Sequence, residues 1–74
     1  MNRENGMGKV EVPKGVLEGL EAVRRSGLTN MFDRPVVAHL ASQMGFPEAA
    51  QWVESNRRLY AEGIFKGFVV KGGE

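Results

Sequence analysis

Acid-base or nucleophilic chemistry in this sequence would have to pass through His39, the one imidazole in the chain. Such a site needs a group that exchanges protons near neutral pH and a second group that orients it. On a helix the neighbours of His39 three and four residues away are Pro35, Val36, Ser42 and Gln43, none of them a carboxylate. His39 therefore reads as a solvated helix-surface histidine. Asp33 stands directly ahead of Arg34-Pro35, where a short carboxylate can accept the free amide hydrogens of a starting helix, and a cap is the role its position predicts. The absence of cysteine removes thiol nucleophiles, disulfides, thiolate zinc sites and iron–sulfur clusters together. Gly6-Met7-Gly8 lacks the strand–loop–helix setting and the Lys-Ser/Thr ending of a phosphate cradle. The expectation is a chain with no catalytic residue, metal, cofactor or small-molecule ligand.

That leaves surfaces. Ten Lys and Arg against nine Asp and Glu give a net charge of +1, too little for a general attraction to nucleic acid or anionic membrane. The local alternative lies where two successive helices meet at the Gly45-Phe46 corner, with Ala41 and Gly45 in the Ala-x-x-x-Gly spacing of a helix-turn-helix. Its nucleic-acid contacts would be Arg34, Gln51, Arg57 and Arg58. Against it, the position that usually holds an apolar residue in the second helix of that motif is Gln51, and Glu48 and Glu54 repel phosphate. The favoured candidate is a partner surface of Ile64, Phe65, Phe68, Val69 and Val70, five large apolar residues within Ile64-Phe65-Lys66-Gly67-Phe68-Val69-Val70. An uncovered apolar run marks a protein partner or a self-association contact, and its Phe-Val-Val end suits addition to a sheet edge.

The elements that must position these groups follow from periodicity. Seventy-four residues, 42% hydrophobic and 26% charged, make one small globular domain with a marginal core, for which self-association as a homodimer is one remedy. Val16, Leu20 and Val23, with Leu17 beside them, predict an amphipathic helix over 13–26 that stops before Gly27. Glu21 and Arg25 are spaced to pair on its outer face. Gly15 and Gly19, one turn apart, admit close approach of another helix, or are merely tolerated. A second helix over 34–44 has Asp33 as cap, Phe32 and Val37 as a hydrophobic staple, and a buried stripe of Val36, Val37, Leu40, Ala41 and Met44. Gly45 ends it in the left-handed conformation with Phe46 folded back.

A third helix starts at Pro47 and runs to 63 or 66, ended by Gly63 or Gly67. Ala49, Trp52, Val53, Asn56, Leu59 and Tyr60 share its inner face, while Glu54, Arg58 and Glu62 form an outer charge ladder. Asn56, mid-stripe, needs hydrogen-bond partners, and the backbone of the loop before the second helix is the expected one. The division is an extended arm over 1–12, an all-α three-helix domain over 13–67 and an extended tail over 68–74, both ends frayed. Lys9 to Val12 and Phe68 to Val70 have strand character, but two short strands are marginal alone, so extended arms are the simpler expectation over a paired ribbon. No apolar run approaches 18 residues and the leading residues have no apolar core of a signal peptide, so a cytoplasmic location is expected.

One segment carries more than periodicity. Val23-Arg24-Arg25-Ser26-Gly27-Leu28-Thr29-Asn30-Met31-Phe32-Asp33 resembles the hallmark of a family of very short bacterial and prophage proteins of unknown function. The similarity extends to a helix ending in Val-Arg, to Gly-x-Thr-Asn-Met-Phe-Asp, to a helix closed by Gly45-Phe46 and to the late Tyr60. The resemblance covers roughly residues 16–66 and implies a compact helical unit from phage-related gene neighbourhoods; it supplies no activity and no catalytic residue. Physically the string is a connector, with Thr29 and Asn30 bonding local backbone and Met31 and Phe32 turned inward.

Overall fold

The computed structural model describes residues 8–72. The frayed ends expected from the sequence rest mostly on residues 1–7 and 73–74, which lie outside the described residues, as does most of Gly6-Met7-Gly8. In chain order the elements are β1 (Val10–Val12), α1 (Lys14–Ser26), α2 (Arg34–Gln43), α3 (Pro47–Ser55), α4 (Arg57–Lys66) and β2 (Phe68–Val70). The described residues are mostly helical, with four helices and a small parallel ribbon instead of the expected three helices alone.

The two segments expected as extended arms are paired. Val10 lies opposite Phe68, Glu11 opposite Val69 and Val12 opposite Val70, in parallel. The ladder extends through Val10 N–H to the Gly67 carbonyl at 2.9 Å and Lys71 N–H to the Val12 carbonyl at 2.7 Å. Parallel strands need a long crossover, and here the whole helical body from α1 to α4 is that crossover. What stabilises so short a ribbon is burial: Val10 and Val12 are both fully in the core, and Phe68 packs on its edge. The outer division of the chain into arms and tail therefore gives way to strands that belong to the same core as the helices.

α1 has the predicted inner stripe, with Val16, Leu20 and Val23 buried and Leu17 half-buried. It stops at Gly27, whose φ of 66° is left-handed. Pro13 stands just outside the helix, its carbonyl accepting from Leu17 N–H at 3.1 Å. Glu21 pairs with Arg24, one residue earlier than the Arg25 expected. α2 ends as predicted: Gly45 has φ of 90°, Phe46 N–H reaches back to the Ala41 carbonyl at 2.8 Å and Gly45 N–H to the Ser42 carbonyl at 3.1 Å. These two bonds are the Schellman closure, and they set the corner from which α3 departs. The α2 stripe is rotated from expectation, since Val37, Ala38 and Ala41 are buried while Val36 and Met44 are exposed.

The expected third helix breaks at Asn56, where φ of −129° and ψ of 57° leave helical space. The Trp52 carbonyl accepts both the Asn56 backbone N–H at 2.9 Å and its side-chain Nδ2 at 3.0 Å. Asn56 thus bonds its own helix rather than the loop before α2, and with its side chain held on that carbonyl it is the residue on which α3 ends. The Asn56 carbonyl then accepts from Tyr60 N–H at 2.8 Å and α4 begins in a new phase. Tyr60 stays buried, but Leu59 turns out to solvent. The Glu54–Arg58–Glu62 ladder is cut between Glu54 and Arg58, which lie on different helices: Glu54 faces Arg34 at 3.5 Å and Glu62 faces Lys66 at 3.8 Å. Gly67, with φ of 100°, ends α4.

Gly63 lies inside α4 for a packing reason. A Cβ there would come 2.1 Å from the Phe68 ring, and one on Gly19 would meet the Ala49 Cβ at 2.4 Å where α1 crosses α3. A Cβ on Gly15 would meet only the flexible end of the Glu48 side chain. The same substitution should therefore have opposite signs. In urea unfolding, Gly63→Ala is expected to lose about 1–3 kcal/mol from overpacking, whereas Gly15→Ala is neutral or gains up to about 1 kcal/mol from helix propensity.

Candidate functional site

Between α1 and α2 the chain crosses from Gly27 to Asp33 without regular structure. Ser26 Oγ donates to the Val23 carbonyl at 2.6 Å and accepts from Leu28 N–H at 3.2 Å. Asn30 Oδ1 accepts from Phe32 N–H at 2.8 Å, a turn closed by the side chain itself. The long-range fastening comes from Tyr60, whose hydroxyl on α4 donates to the Met31 carbonyl. The tether that the sequence assigned to Asn56 is therefore made by Tyr60, one helical turn further on. Only 2% of Tyr60 is exposed, and burial pushes its phenol from 10.0 up to about 12.

That fastening decides where Met31 and Phe32 go. Met31 packs against the core as expected, but Phe32 turns outward and is 62% exposed. The staple with Val37 does not form. Phe32 packs instead against Phe65 of α4, ring centroids 5.5 Å apart and the planes inclined at 60°, and Phe65 is itself 78% exposed. Two phenyl rings from distant parts of the sequence thus form one apolar patch in water, the kind of surface a partner covers.

The five residues expected to form one partner surface are divided among three settings. Ile64 and Phe68 are half-buried and pack on the core. Phe68 meets the Trp52 ring edge-on at 6.0 Å and the Tyr60 ring at 5.9 Å. Val69 and Val70 are half-buried in the ribbon, and Phe65 alone stands free beside Phe32. No local signal in the sequence marks Phe32 as outward. The spacing of an N′ residue to N4 pointed to a staple, and a tether spanning 29 residues leaves no periodic trace. A groove of about 380 Å³ runs between α1 and α4, with Leu20, Met31, Ile64 and Phe68 on its walls and Arg24 and Glu21 at its rim.

The nucleic-acid candidates are dispersed. α3 occupies the place of a recognition helix, yet its sequence Pro-Glu-Ala-Ala-Gln-Trp-Val-Glu-Ser contains Glu48 and Glu54 and no basic residue. Gln51 is exposed on it. Arg57 and Arg58 open a different helix, α4, and Arg34 lies against Glu54, its side chain only 19% exposed. Asp33 occupies the cap position of α2 but makes no side-chain cap bond; its carbonyl accepts from Val37 N–H at 2.9 Å. His39 is exposed along a shallow groove with Ser42, Gln51 and Glu54. Among the described residues no three His, Cys, Asp or Glu side chains gather as a metal site would need, and no helix is long and apolar enough to cross a membrane.

A family described as a domain of unknown function, DUF5049, matches residues 14–68, from the first residue of α1 to the first of β2. No curated protein and no solved structure matches the chain.

Tyr60→Phe keeps the ring and leaves the Met31 carbonyl without its donor, which should cost about 1–3 kcal/mol in chemical unfolding. The folded chain holds the phenol proton up to about 12 while the unfolded chain releases it near 10.0, so between those values the unfolded state binds fewer protons. The wild type should accordingly lose stability relative to Tyr60→Phe as pH rises through that interval, while below it the advantage of the wild type stays constant with pH. Unfolding curves of both chains at each pH, with the phenolate absorbance followed, check the direction.

Proposed function

The chain belongs to the DUF5049 family, whose function is unknown, and we propose that it is a small non-enzymatic helical interaction module that binds a protein partner. The observation that carries this reading is the outward pairing of Phe32 and Phe65, 62% and 78% exposed. Exposed phenyl rings that pack against each other, one held by a fastened connector and the other by a helix, form a prearranged hydrophobic anchor, and burying such an anchor costs little ordering entropy. The non-enzymatic character rests on the residue inventory, with a single imidazole and no thiol. The resemblance of Thr29-Asn30-Met31-Phe32-Asp33 supports placing the module among phage- or prophage-borne proteins, acting in the cytoplasm.

A helix-turn-helix regulator is the alternative, and the Schellman corner between α2 and α3 gives it its outline. Its weakness is electrostatic, because the helix that would enter the groove brings two carboxylates and no cation.

The distinguishing experiment pairs two measurements on the full chain. A saturable protein partner captured from the native cell should be retained by wild type and lost by Phe32→Ser/Phe65→Ser, whose circular dichroism stays unchanged. Mixed duplex DNA should show no binding that weakens between about 50 and 200 mM salt. Retention of the partner by the double variant, or steep salt-dependent DNA binding, would overturn the proposal.

A further inference from the structure

The ribbon has two outer edges, and they differ in chemistry. In a parallel pair with the observed register, Val10 and Val12 turn their amide and carbonyl groups toward β2, so Glu11 turns its own outward. On β2, Val69 faces β1 while Phe68 and Val70 present N–H and C=O groups to the outside. Among the described residues no hydrogen bond engages these outward groups of Phe68 and Val70. The β1 edge carries the charged pair Lys9 and Glu11 and is followed by Pro13, devices that discourage strand addition. The β2 edge has no charge and no proline between Lys66 and Lys71. Neither Val69 nor Val70 joins the packed core, although each is half-buried.

We propose that β2 pairs antiparallel with β2 of a second copy of this chain, giving a four-stranded sheet in the order β1-β2-β2-β1. This surface is separate from the Phe32–Phe65 anchor, and the inference does not depend on that anchor. The occupant is a second copy because the strand complements itself. About a two-fold axis at Val69, Phe68 falls opposite Val70 of the copy and Val70 opposite its Phe68. Both are pairs of the hydrogen-bonded kind, so all four outward groups on each strand find partners. The side chains agree with that register. Two aromatic–β-branched pairs form on the core-facing side and Val69 meets Val69 of the copy on the other, all favourable cross-strand neighbours. Lys71 falls opposite Gly67 of the copy and Lys66 opposite its Gly72, so no like charges are set face to face. The same operation on the β1 edge would place Glu11 against Glu11. Doubling the ribbon also brings it to a size at which sheets are stable in water.

The test is sedimentation equilibrium of the full chain from about 10 µM to about 1 mM, combined with residue-resolved amide exchange. The expected result is a rise from monomer to dimer mass. The amides of Phe68 and Val70 should slow in exchange as concentration rises, while that of Glu11 stays fast. Val69→Lys sets two ammonium groups opposite each other and should raise the dissociation constant at least about tenfold with helix content unchanged. N-methylation of the Val70 amide in a synthetic chain removes an outward donor without touching the β1 ladder and should weaken the dimer likewise. A monomer throughout the range would overturn the proposal. So would a dimer in which Phe68 and Val70 exchange at the monomer rate, or one indifferent to the Val70 methyl group.

Discussion

The hydrogen bond from the Tyr60 hydroxyl to the Met31 carbonyl is the constraint on which the candidate surface depends. It joins α4 to the connector between α1 and α2, two parts of the chain that share no secondary structure. A buried phenol needs an acceptor, and the connector needs donors for carbonyls that face the core, so one bond satisfies both requirements. With Met31 fixed inward by its carbonyl and its side chain, Phe32 has the opposite direction left to it. There it finds Phe65, which α4 presents five residues beyond Tyr60.

A second constraint makes the first available. Had the helix that starts at Pro47 continued through Asn56, Leu59 would have kept the inner face and Arg58 the outer ladder. Asn56 instead leaves helical space with its side-chain amide held on the Trp52 carbonyl, and α4 restarts in another phase. The new direction returns the chain to β1, so that Phe68–Val70 runs parallel to Val10–Val12. Gly63 then completes the closure, because only a residue without Cβ lets the Phe68 ring lie against α4. The break, the tether and the ribbon are thus steps of one path rather than separate features.

Much of this was legible in the sequence where the cause was local. The stop of α1 before Gly27, the left-handed end at Gly45, the Pro47 start and the α1 stripe of Val16, Leu20 and Val23 all follow from caps and periodicity within one or two turns. The sequence misled where a distant contact decided. Asn56 fits the inner stripe as well as it fits a helix end, and only its side-chain bond to Trp52 tells the two apart. Phe32 satisfies the spacing of a staple, yet the pull of Tyr60 from 29 residues away orients it otherwise. The terminal segments are too short to be believed as strands alone; they are strands because Val10 and Val12 complete the helical core. The candidate surface was found in part, through Phe65, while its other half lay in the connector that was expected to face inward.

The connector string from Gly27 to Asp33 gains a physical meaning from this arrangement. Gly27 turns the chain, Asn30 closes a local turn, Met31 offers the carbonyl, Phe32 supplies the exposed ring, and Tyr60 fastens the whole. Its residues are placed to hold one aromatic side chain in water against a second. The measurement that bears most directly on this is a two-dimensional nuclear Overhauser spectrum of the wild-type chain and of Tyr60→Phe. Strong cross-peaks between the Phe32 and Phe65 ring protons in the wild type, lost or much weakened in the variant, are predicted. Absence of those cross-peaks in the wild type, or their full persistence without the hydroxyl, would contradict the account.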